Sequence, residues 1–140
     1  MSEFEYFKQD HELRHLEGKT FHVSGLMGDK HAVFSAYGVG LCAPNGYFGE
    51  NWDAFNDCLL DLDWISERDI HIVHHGLPSL SQKDRMIYLD ILQKAVAIWA
   101  DDSTAKLQRG FPEFVDHRLF VYFPRDLERS IVSCLAADPT

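Results

Sequence analysis

The chain has 140 residues, 46% of them hydrophobic, and its 13 Lys and Arg stand against 22 Asp and Glu for a formal net charge of −9. That charge repels phosphate backbones within the Debye length, which argues against direct nucleic-acid binding; the same field attracts a basic protein partner and speeds its association. The length and apolar fraction suit a single domain, and neither a long apolar run nor a basic-then-apolar N-terminus is present, so a cytoplasmic protein with no membrane segment is expected.

In chain order, Phe4, Phe7, Leu13 and Leu16 suggest a short helix over 3–17, ended by Gly18 as its C-terminal cap. Thr20 to Val23 reads as a first strand, followed by a helix capped by Asp29 with Val33, Phe34 and Tyr37 on its apolar side. The segment from Cys42 to Gly49 is a loop by composition, since Pro44 resists helix continuation and Asn45-Gly46 and Gly49 favour positive φ. A second helix starts at Asn51, and Trp52, Phe55, Leu59 and Leu62 form its buried stripe. Ile70 to His75 is a second strand. Ser81 followed by Asp84 resembles a capping box for a long helix buried through Leu89, Leu92, Val96 and Trp99. Residues 101–117 are polar and irregular. Arg118 to Phe123 forms a third strand stopped by Pro124, and Asp126 caps a last helix carrying Leu127, Ile131, Cys134 and Leu135. Strands alternating with helices, without hairpin signals, predict an α/β fold with a mainly parallel sheet.

Between Gly46 and Asp69 the chain carries seven acids and one base. Glu50, Asp53, Asp57 and Asp61 are spaced three, four and four apart, so at about 100° per residue they share one side of the second helix, opposite the apolar stripe. Like charges at this spacing repel, and only Glu50 and Asp53 lie near enough to the helix N-terminus to gain from its dipole. Spacing alone is compatible with an ordinary solvated face.

The order of residues adds to this. The run Tyr47-Phe48-Gly49-Glu50-Asn51-Trp52-Asp53-Ala54-Phe55-Asn56-Asp57-Cys58-Leu59 resembles the signature of the barstar family of ribonuclease inhibitors. The resemblance covers roughly 19–123 and is strongest over 46–60, leaving 1–18 and 124–140 as extensions. It implies a three-stranded parallel sheet packed by helices, no catalysis, and insertion of the second helix and its preceding loop into the active site of a partner nuclease, in a one-to-one complex. Carried onto this chain, the implied contacts are Tyr47, Gly49, Asp53 and Asp57, with Asp57 at the charge-accepting centre. An enzyme that cleaves RNA holds Arg and Lys where phosphate charge develops, so a carboxylate placed there meets preorganised donors. Two positions depart from the family: Asn56 stands where the best-known inhibitor has tryptophan, and Lys94 aligns with an acidic contact residue. Both point to a diverged partner, such as a bacterial toxin enzyme. A regulatory module that binds a basic surface without inhibiting it, and a hydrolase using the acidic helix, remain open alternatives.

Other constellations read as structural. His71, His74 and His75 lie on a strand, where adjacent residues face opposite sides, so no metal set is predicted. Trp52, Trp64 and Trp99 read as packing residues, because a base-stacking surface would carry Lys and Arg beside them. Cys42, Cys58 and Cys134, an odd set with no CxxC, read as reduced and mostly buried thiols. No cofactor is implied.

Overall fold

The computed structural model describes residues 3–13, 16–101 and 116–136. Four strands, β1 (Glu5–Phe7), β2 (Lys19–Val23), β3 (Asp69–His74) and β4 (Arg118–Pro124), form one sheet in the order β1-β4-β3-β2 with every pairing parallel. The helices are α1 (Lys30–Gly40), α2 (Trp52–Leu59), α3 (Gln82–Ala100) and α4 (Glu128–Ala136).

Register explains the two faces. Phe21, Ile72 and Val121 are aligned across the sheet, as are Ile70 and Leu119, and all are buried in the core with α1, α2 and α3 residues. The steps β2 to β3 and β3 to β4 run in one direction across the sheet. The return from β1 to β2 runs the other way, so a right-handed connection brings residues 16–18 in over the opposite face. There the Glu17 carbonyl meets His71 Nε2 at 2.8 Å.

The α/β class and the parallel sheet stand, with corrections at the edges. The helix expected over 3–17 is instead β1 followed by a 3-10 turn at Asp10–Leu13. Phe4 and Phe7 are buried because the sheet edge at β4 accepts a fourth strand: Glu5 pairs with Tyr122, and Phe4 packs on Phe123 at a ring distance of 5.1 Å. The sheet is therefore four-stranded rather than three-stranded. Asp126 lies inside a 3-10 turn, Arg125–Leu127, rather than capping the last helix. None of the three free cysteines is fully buried, and Cys42 is exposed, since its backbone turns through φ 56° at the end of α1. Most of the irregular segment expected at 101–117 lies outside the described residues.

The Asp29 and Ser81 caps form as expected, accepting from Ala32 N at 2.8 Å and Asp84 N at 3.1 Å. The three indoles pack and each spends its N–H inside the fold, Trp64 on the Leu41 carbonyl, Trp99 on the Leu59 carbonyl and Trp52 on Asp84. A polar chain also crosses the core. His74 Nδ1 faces the Tyr122 carbonyl at 3.0 Å and can only donate to it, so its Nε2 accepts from Tyr88 Oη at 2.6 Å, and Tyr88 in turn accepts from Tyr37 Oη at 2.7 Å. Each of these buried groups has a partner only while His74 is neutral in that tautomer.

Candidate partner-binding site

The loop before α2 and the helix itself are held from beneath. Phe48 is 1% exposed and packs against Tyr37, Phe55 and Trp64 at ring distances of 5.4, 5.3 and 6.2 Å. Its neighbour Tyr47 is 50% exposed. The aromatic pair therefore splits its work, Phe48 fixing the loop and Tyr47 facing outward. Gly38 on α1 lies so close to the Gly46 carbonyl that a β-carbon would collide with it, which draws the loop against α1. Gly49 adopts φ 101°, and a β-carbon there would fall 2.6 Å from Phe55 N. The chain needs glycine at this position to turn into the helix.

Asn51, in extended geometry, caps α2 by accepting from Ala54 N at 2.8 Å, while Phe55 and Leu59 are fully buried. Trp52 reaches Asp84 on α3 at 3.0 Å and Trp99 reaches back to Leu59, so α2 is fastened to α3 at both ends. On the outer side Asp53 and Asp57 are exposed, one turn apart. Neither has a hydrogen-bond or ion-pair partner among the described residues. Asn56 beside them is half-buried.

Asp61 is not on that helix face. The helix ends at Leu59 with Leu60 as its cap, and Asp61 N bonds the Cys58 carbonyl in the turn that follows. Leu62 reaches the core by a left-handed backbone, φ 51°, rather than as a fourth member of a helical stripe. The local negative field is still felt at Cys58, whose thiol is pushed above its ordinary value first by burial and then by Asp61 and Asp57. Glu50, just before the cap, lines a cleft of about 570 Å³ between α1 and the loop, with His31, Ser35, Asn45 and Tyr47. The sequence carried no signal for this cleft, because His31 and Ser35 come from a separate helix.

A family model described as Barstar (barnase inhibitor) matches residues 18–109, the span that holds β2, α1, α2, β3 and α3. The chain belongs to the barstar family. Comparison with curated proteins and with solved structures gives no match. In this barstar-family chain β1, β4 and α4 lie outside the matched span.

Lys94 is an exposed residue of α3 paired with Asp90 at 2.8 Å, one turn back on the same helix. Burial alone would raise the Asp90 carboxyl, but hydrogen bonds from Lys94 and Gln93 outweigh it and leave it below its ordinary value. At about 100° per residue Lys94 lies roughly a quarter turn around α3 from Asp84, the residue that touches α2. Its charge is thus shared with Asp90 and stands apart from the carboxylates of α2. No group of three or more His, Cys, Asp or Glu side chains among the described residues is placed to hold a metal ion, and no helix of those residues is long and apolar enough to cross a membrane.

Proposed function

We propose that this barstar-family chain is an immunity protein that blocks a basic nuclease, a bacterial toxin ribonuclease, by seating the Tyr47–Asn51 loop and the Asp53/Asp57 side of α2 in its active site. The observation that carries this reading is the pair Asp53 and Asp57. They are exposed, unpartnered among the described residues and one turn apart on a helix anchored by Phe55, Leu59 and the Asn51 cap. Two carboxylates held in this way present oxygens to cations that otherwise meet phosphate, and the loss of side-chain freedom on binding is small because the backbone is already fixed. Like-charge repulsion at this spacing makes the pair mildly unfavourable in the free protein, so its value lies in the complex. Gly49 and Tyr47 shape the entry to the site, Asn56 adds a polar contact where an aromatic one is usual, and Asp61 adds to the field from beyond the helix.

The test is an RNA-cleavage titration against basic ribonucleases captured from the native organism and against barnase. Cleavage lost linearly up to a one-to-one ratio, in cytoplasm-like buffer and without any added cofactor, supports the reading. Tight binding that leaves RNA cleavage unchanged would favour a non-inhibitory module. Cleavage of RNA by the purified chain alone, abolished in Asp53→Ala, would make it an enzyme.

A further inference from the structure

A second cleft, of about 440 Å³, opens between α3 and α4 and is lined by Arg85, Gln82, Ser130, Ser133, Leu77 and Met86, beside Cys134. Arg85 Nε is sealed from solvent and has no hydrogen-bond partner among the described residues. No carboxylate is among the residues that line the cleft; Asp84, the residue before Arg85, is engaged by the Trp52 indole, and Glu128, at the start of α4, by Arg125. A guanidinium donor kept dry and unpaired in a protein so rich in acids is costly unless an acceptor arrives. The residues around it are the donors an oxyanion needs: two serine hydroxyls and a glutamine amide beside the planar fork of arginine. Leu77 and Met86 supply apolar wall, and the volume suits a small molecule.

We propose that this cleft binds a small phosphomonoester: the Arg85 side chain, whose Nε is sealed in the unbound chain, turns into the cleft to grip the phosphoryl oxygens through Nε and Nη, with the serines completing the shell and Leu77 and Met86 covering the ester group. Arg85 lies about 100° around α3 from Asp84, which faces α2, so the cleft is separate from the acidic side and its occupancy does not rest on the nuclease reading. The net charge of −9 opposes loose accumulation of anions, so a saturable response requires a built site.

The experiment is a titration of the 15N-labelled full chain with inorganic phosphate and with phenyl phosphate, reading the Arg85 Nε–H signal, with acetate and chloride at matched ionic strength as further arms. Saturable shifts with both phosphates are expected, phenyl phosphate binding the tighter, with only the non-saturating drift of ionic strength from chloride and acetate. Arg85→Gln should abolish binding, and Ser133→Ala, on an exposed position that leaves the fold intact, should weaken it several-fold. Non-saturating shifts with phosphate, an equal response to chloride or acetate, or unchanged affinity in Ser133→Ala would overturn the assignment. The Ser133→Ala arm decides the matter if Arg85→Gln fails to fold.

Discussion

Removing the Asp57 carboxylate separates the binding role of α2 from its folding role. In the free protein Asp57 is exposed, mid-helix and unpartnered among the described residues, with Asp53 one turn before it. Asp57→Ala should therefore change stability by less than about 0.5 kcal/mol, and the lost repulsion from Asp53 favours the variant by a few tenths. In a cationic active site the same change strands the partner's buried cations, which costs about 2–5 kcal/mol, a range that rests in part on barstar itself. At about 1.4 kcal/mol per tenfold, Kd should weaken roughly 30-fold to 5,000-fold, mainly through faster dissociation. Association of the unaltered protein should slow steeply with added salt, since steering by a net charge of −9 is screened. Titration calorimetry and stopped-flow mixing with the partner nuclease measure both effects, with thermal melts as the folding control. An unchanged Kd, or a lost fold, would refute the reasoning.

Gly49→Ala forces a β-carbon against Phe55 N at φ 101°, so it should destabilise the fold by about 1–3 kcal/mol in urea melts and quicken dissociation of the complex. Lys94→Glu sets two carboxylates one turn apart on α3 in place of the Asp90 pair; stability should fall by a few tenths of a kcal/mol. Partner preference should shift through association rates, measured against several ribonucleases, and identical rates would place Lys94 outside the interface. Tyr88→Phe leaves His74 Nε2 and Tyr37 Oη buried without partners, at about 1–3 kcal/mol each, and adding Tyr37→Phe should recover part of the loss; strictly additive losses would disprove the chain of donors. Burial holds His74 down at about 3, against an unfolded value near 6.5, so the folded state takes up fewer protons across that interval. Stability is then full above about pH 6.5 and declines by up to about 1.4 kcal/mol per unit as pH falls towards 3, and a urea midpoint that stays level from pH 7 to pH 5 would contradict this.

Features set by a few neighbouring residues were legible in the sequence. The caps at Asp29 and Ser81, the start of α2 at Asn51, the glycine turn at Gly49 and the buried positions Phe55 and Leu59 all follow from local chemistry and short periods. The acidic side of α2 was legible as far as Asp57 but not at Asp61, because a left-handed residue such as Leu62 leaves no mark in a hydrophobic pattern. β1 was missed for another reason. Three residues carry too short a pattern to tell strand from helix, and what makes Glu5–Phe7 a strand is the open edge of β4 more than a hundred residues later. The His74–Tyr88–Tyr37 chain and the unpaired Arg85 Nε arise only when separate elements meet.

The pairing of β1 with β4 also fixes an order of events during synthesis. Among the described strands β1 emerges ahead of the other three and docks on β4, so Phe4 and Phe7 must wait, uncovered, until β4 has emerged and paired with β3. Closing that contact spans nearly the whole chain, a long-range step that raises contact order and slows the final stage of folding. Until it closes, the free edge of β4 is a template for strands of other chains. A chain started at residue 18, where the family match begins, would keep that edge open permanently and should aggregate while still carrying the α2 surface intact.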